Sequence, residues 1–190
     1  TTGNQRASMA LNSRKILSQI ILVHVSALNP RGPALQRAVR ILVIDSDCFV
    51  LGSISNLCES RFPGASMVGA RNAKFAVEEC RLSQPDLVIL EIDLRDGDGL
   101  ELVPGIREVC PPVRILAFSS LCDRYTAHRI QQARLDGYLC KRYVGPDELC
   151  VVMRLVMKGE RYFDGFITRR QAALRADPAA FTKLVGDREL

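Results

Sequence analysis

Tryptophan is missing from this 190-residue chain, and histidine occurs only twice, at His24 and His128. The seven cysteines, at positions 48, 58, 80, 110, 122, 140 and 150, never fall closer than ten residues apart. No Cys-x-x-Cys pair is therefore available to begin a zinc site. Most of the cysteines sit in apolar stretches such as GYLCK and ELCVVM, where a reduced thiol serves as a small hydrophobe and points to a reducing compartment. A membrane-spanning run is also missing. The apolar part of RKILSQIILVHVSAL covers about 13 residues and is broken by Gln19 and His24, short of the roughly 20 that a transmembrane helix needs. It resembles a weak secretory signal, but the reading adopted is a partly helical extension ending in the Asn-Pro-Arg-Gly-Pro loop at 29–33, in a cytoplasmic protein without membrane contact.

Acidic residues are absent from the first 40 positions, which hold six Arg or Lys. Residues 41–160 carry 14 basic and 17 acidic side chains, and residues 161–190 carry six and four. The overall charge of +5 thus comes from the two ends, and the mildly acidic middle argues against a phosphate-gripping central domain. At 47% apolar and 25% charged, the chain can bury one globular core with extensions.

From Arg40 onward the pattern alternates between short apolar runs and helical stretches. ILVID (41–45), MVGA (67–70), DLVILEI (86–92), VRILAFSS (113–120) and GYLC (137–140) read as strands buried on both faces. Helices are expected after Asp47, over 72–83, over 97–109 with a bend or early stop at Pro104-Gly105, over 123–135 and over 146–159. The fold class is α/β: a doubly wound, five-stranded parallel sheet flanked by five helices. Ligand sites in such sheets lie at the carboxyl ends of the strands. Asp45, Glu91, Ser119 and Lys141 follow the ends of strands one, three, four and five, so four different polar groups are expected to converge on one edge.

The motifs ILVIDSD, LVILEIDLRDGDGLEL, RILAFSS and DGYLCK, in that order and spacing, resemble the receiver domains of response regulators, a CheY-like, flavodoxin-type fold, over about residues 40–160. The resemblance implies two-component signalling. In that family an acidic pocket holds Mg²⁺, an aspartate accepts a phosphoryl group from a histidine kinase, a hydroxyl residue and a lysine bind its oxygens, and an aromatic residue on strand five reports the change. Carried over by position, Asp45 is the first acid, Ser119 and Tyr138 are the switch residues and Lys141 is the phosphate-binding lysine. Two positions depart: Ser46 stands where a second acid is expected, and Glu91 stands where the phosphoacceptor aspartate is expected.

Asp47 either replaces the missing acid or caps the following helix. With one acid lost and another lengthened by a methylene, metal binding at Asp45 and Glu91 is expected to be weak or lost, no cofactor is required, and phosphorylation is expected to fail. Glu91 is instead expected to act as a built-in partial mimic of the phosphorylated state, reaching toward Ser119 and Lys141 and favouring an inward Tyr138. The implied partners are another protein or a second copy, through the face of helix four, strand five and helix five, and a histidine kinase.

The stretch from 161 to 190 reads as a linker whose ending resembles the start of a LuxR/NarL-type helix-turn-helix. DNA is thus expected to be contacted only through a helix-turn-helix missing from this chain, or weakly through the basic tails. The same residues leave two other functions open: a receiver phosphorylated on a non-standard acid, and a haloacid-dehalogenase-like phosphatase starting at Asp45-Ser46-Asp47. The second lacks a later paired-acid motif. Neither enzyme activity nor catalytic residues are expected.

Overall fold

The computed structural model describes residues 38–176. Nearly all of the basic extension expected over 1–39, and the helix-turn-helix start expected near the end of the chain, lie outside the described residues.

The elements in chain order are β1 (Arg40–Ile44), α1 (Cys48–Arg61), β2 (Ser66–Ala70), α2 (Ala73–Ser83), β3 (Leu87–Leu90), β4 (Asp93–Leu94), β5 (Gly97–Asp98), α3 (Gly99–Val109), β6 (Arg114–Ser119), α4 (Arg124–Gln132), β7 (Gly137–Cys140), α5 (Pro146–Met157), β8 (Tyr162–Phe163) and α6 (Gly165–Ala176). Six strands form one sheet in the order β2-β1-β3-β6-β7-β8, and every pairing in it is parallel. The chain order reverses between β1 and β3, which makes the crevice at their carboxyl ends the topological switch point.

Alternation along the strands builds two cores. Leu42, Ile44, Val88, Leu90, Ile115 and Ala117 face α2, α3, α4 and α6. Ile41, Val43, Leu87, Ile89, Leu116 and Leu139 face α1 and α5. Five cysteines, Cys58, Cys80, Cys110, Cys140 and Cys150, are buried as thiols outside any disulfide, and burial pushes Cys80 up to about 12 and Cys58 up to about 11. Among the described residues no helix is long and apolar enough to cross a membrane.

The fold class agrees with the sequence reading, with three differences in detail. Pro104 does not interrupt α3, because the buried stripe Leu100, Val103 and Ile106 holds the helix on the sheet across the missing N–H. A two-stranded hairpin, β4–β5, precedes α3, and Asp96 at its tip accepts hydrogen bonds from Ala73 N and Lys74 N at the start of α2.

The third difference is larger. The stretch expected to be a linker after residue 160 is a strand and a helix over 162–176, so the sheet has six strands and six flanking helices rather than five of each. Gly137 pairs with Tyr162 and Tyr138 with Phe163, while Ile167 and Leu174 are buried in the core shared with α4. Asp164 secures the joint: one carboxylate oxygen accepts from Cys140 N at 2.8 Å, and the other accepts from Phe166 N and Ile167 N, capping α6. Two residues of strand and one buried helical stripe were too short to show as periodicity.

Candidate functional site

The ladder of the sheet sets the positions of the polar residues at its carboxyl edge. Asp45 N donates to Ala70 O, Glu91 N donates to Ile44 O and Lys141 N donates to Ser119 O, at 2.9 to 3.0 Å. Asp45 and Glu91 therefore emerge side by side at the β1/β3 switch point, with Lys141 arriving from the end of β7.

Lys141 Nζ lies 2.5 Å from Asp45 Oδ2 and 2.6 Å from Glu91 Oε2. Asp45 and Glu91 are 4% and 8% exposed, so this is a buried triad of two anions and one cation. Burial by itself lowers the Lys141 pKa, but hydrogen bonds and charge from both carboxylates outweigh it and hold the ammonium above its ordinary value. The remaining carboxylate oxygens are also engaged. Asp45 Oδ1 accepts from Asp47 N at 2.8 Å, and Glu91 Oε1 accepts from Ile92 N at 2.7 Å and Asp93 N at 3.1 Å. The extra methylene of glutamate lets its carboxylate curl back over the two amides that follow it.

Asp47 does not join the acidic pocket. It is exposed, and its carboxylate accepts from Phe49 N at 2.8 Å as the N-cap of α1. Of the two roles open to it, the cap prevails, because an aspartate directly before a helix finds an unpaired amide within reach. This placement also separates the two acids of the Asp-x-Asp start on which the phosphatase alternative depended. Ser46, buried where a second acid was expected, accepts from Arg95 N at 3.1 Å and ties β1 to the β4–β5 turn.

Ser119 and Tyr138 are both fully buried. Ser119 Oγ accepts from Leu121 N at 3.2 Å. Tyr138 points inward, and its hydroxyl donates to Leu121 O at 2.5 Å, with Ser119 O at 3.4 Å. Burial pushes the phenol far above its ordinary pKa, so it remains a donor. Ser119 and Tyr138 thus pin the loop between β6 and α4. The contact expected between Glu91 and Ser119 is not among these bonds; the glutamate carboxylate goes to Lys141.

Sequence reading missed two contributors. Gly99 opens α3 directly against Glu91, where a side chain would strike the Glu91 carbonyl oxygen. Asp164 binds the backbone of Cys140, next to Lys141. Only the glycine leaves a trace in the sequence, as a small residue at a helix start, and that trace is common.

A hard divalent cation takes carboxylate oxygens at near-octahedral geometry. Asp45 and Glu91 supply two carboxylates, both bound to Lys141, and no group of three or more His, Cys, Asp or Glu suited to a metal occurs among the described residues.

The sequence matches the response regulator receiver domain over residues 41–154. Response regulator UvrY of Escherichia coli K12 is 26% identical over 141 residues, covering 74% of this chain and 64% of UvrY. The chain thus matches just under two thirds of that relative's length. Response regulator protein VraR of Staphylococcus aureus is 20% identical over 152 residues, covering 80% of this chain and 72% of VraR. A solved LuxR-family two-component response regulator from an Aurantimonas species superposes with a TM-score of 0.65 at 28% identity, covering 74% of this chain and 99% of that one. The isolated receiver domain of Salmonella enterica RcsB, solved with phosphomimetic BeF3-, shares the fold at 16% identity, with a TM-score of 0.61 over 70% of this chain and 99% of its own. A match across more than half of the sequence, on a parallel sheet whose carboxyl edge gathers Asp45, Glu91, Ser119 and Lys141, places this chain in the response regulator receiver domain family of two-component systems.

Proposed function

We propose that this receiver works without phosphorylation, through contacts with other proteins, and that Glu91, as a partial mimic of the phosphorylated residue, biases its switch toward one position. The observation that supports this most is the Lys141 bridge. The cation that would meet a phosphoryl group is already neutralised by Asp45 and Glu91, and each carboxylate oxygen has a hydrogen-bond partner. A phosphoryl transfer would have to break this triad, without a second acid at Ser46 and without an aspartate at the acceptor position. The inward Tyr138 accords with a partial mimic that acts on Lys141 and leaves Ser119 to the loop. A glutamate brings one negative charge and two oxygens where a phosphoryl group brings nearly two charges and three oxygens.

No cofactor is needed for such a role, and no turnover is expected. The expected partner face of α4, β7 and α5, for a protein partner, a second copy or a histidine kinase, is bordered by two further elements: β8 occupies the outer edge of β7 and α6 lies against α4.

Intact-mass spectrometry after incubation with a small phosphodonor and Mg²⁺ tests this reading. The expected result is an unmodified chain. A stable, donor-dependent gain of one phosphoryl group at Asp45, Asp47, Glu91 or Asp93 would overturn it. The mimic has its own test in Glu91→Gln, which keeps the shape and removes the charge. Tyrosine fluorescence quenching, unobscured by tryptophan, should show a more accessible Tyr138, and unchanged quenching would rule the mimic out.

A further inference from the structure

The mildly acidic average of the central domain conceals a division across the sheet. Residues 38–123, which build the β2-β1-β3-β6 side, carry 8 basic and 13 acidic side chains. Residues 124–176, which build α4, β7, α5, β8 and α6, carry 11 basic and 5 acidic ones. The excess on the second side is arginine, concentrated on the two helices that pack together at its end.

Helices α4 and α6 share a core through Ala127, Ile130, Ile167 and Leu174, and Gln171 Nε2 donates to Ala127 O at 3.4 Å. α4 presents Arg124, α6 presents Arg169, Arg170 and Arg175, and the adjoining loops add Arg134 after α4 and Arg161 before β8, all exposed except the half-buried Arg170. None of the six makes an ion pair among the described residues, whereas Arg107 and Arg114 are paired with Asp136 and Arg129 with Asp98. The acids nearby are few: Glu160 is exposed, Asp123 caps α4, and Asp164 turns inward to cap α6. Several guanidinium groups are already held in place, which lowers the cost of ordering them on a ligand. Arg170 lies 4.3 Å over the Phe166 ring, with a buried Nε lacking a hydrogen-bond partner. Arg161 stacks 5.2 Å over Phe163 and donates to Leu135 O, and Arg175 rests against the Gln131 amide.

We propose that this arginine face of α4, β8 and α6 binds the phosphate backbone of a nucleic-acid duplex. Guanidinium groups match phosphate oxygens in pairs and are weakly hydrated, which suits arginine over lysine for this contact. The 12 residues of α6 extend about 18 Å, roughly half a turn of a duplex, so the face meets several phosphates together. The contact is sequence-independent and orients the duplex rather than reading it. It belongs to the folded domain, in addition to any attraction by the basic tail. The competing occupant is the acidic side of a second copy, which the same charges would attract.

The test uses the full chain with a fluorescently labelled duplex of arbitrary sequence, about 20 base pairs long, followed by anisotropy from about 50 to 200 mM salt. The triple variant Arg124→Glu, Arg169→Glu, Arg175→Glu changes exposed positions, and circular dichroism checks its fold. The expected result is at least a tenfold loss of affinity at low salt, with the slope of log affinity against log salt falling by about 2 to 3. A parallel reversal of Arg6, Arg14 and Lys15 in both proteins should leave that difference between parent and face variant in place. The proposal is overturned if the parent chain does not bind the duplex at low salt, or if the face variant binds as the parent does while the tail variant does not. It is also overturned if sedimentation shows salt-sensitive self-association that is lost in the face variant, with no duplex binding.

Discussion

Gly99 packs so closely on Glu91 that a β-carbon there would run into the Glu91 carbonyl oxygen, and it would also press on Ile92 Cα at 3.2 Å. The start of α3 is thereby held against the end of β3, and Gly99 N donates to Ile92 O at 2.8 Å. Gly99→Ala should push the β3 end outward and cost about 2 kcal/mol or more, as overpacking in a closed site does. Urea denaturation of parent and variant measures this. A change within about 0.5 kcal/mol, the range of neutral surface substitutions, would show that the approach relaxes freely.

Lys141→Met should leave Asp45 and Glu91 facing each other without a cation. Breaking a buried pair in this way costs about 3 kcal/mol or more at neutral pH. In the parent, the folded-state pKa of Lys141 is raised. Its contribution is therefore fully present below the unfolded value and is lost as pH rises through the folded one, at alkaline pH. Equal stability of variant and parent at pH 7 would refute the bridge.

Asp136 is expected to govern acid stability. Burial raises its pKa, but hydrogen bonds from Ile115 N, Arg107 and Arg114, with the charge of Arg107, outweigh that and hold it below the ordinary carboxylate value. A depressed folded-state pKa contributes stability above the unfolded value and loses it as pH falls through the folded one. Asp136→Asn should destabilise the domain by about 2 kcal/mol at pH 7, and the difference from the parent should shrink on acidification below the ordinary aspartate range. A pH-independent difference would assign the loss to packing alone.

Asp164→Ala should release the end of the domain. The variant loses the cap of α6 and the bond from Cys140 N, a cost of about 1 to 2 kcal/mol. Hydrogen exchange should then rise across 162–176 while β1 and β3 remain protected. Uniform protection in both proteins would mean that Ile167 and Leu174 hold α6 without the cap.

The sequence by itself determined the α/β class, the strand and helix alternation from residue 40 to about 157, and the family. Continuous apolar runs such as ILVI and LVIL can be satisfied only between two helical layers, and an acid, a hydroxyl and a lysine at successive strand ends must converge once the strands are parallel. It also showed that Glu91 replaces an aspartate and Ser46 an acid, because these are statements about residue identity. Tertiary structure decided what the substituted residues touch. Asp45 and Lys141 lie 96 positions apart, and their contact follows from the packing of β1, β3 and β7 rather than from any local pattern. Whether Asp47 would cap a helix or line a pocket depended on the direction of one side chain. The docking of β8 and α6 rests on two ladder positions and a few buried side chains, a signal too short for periodicity. The arginine face likewise arises only when α4 and α6, remote in sequence, are laid side by side by the sheet. An average over the chain cannot register that separation of charge, because opposite charges cancel along a sequence but not across a folded domain.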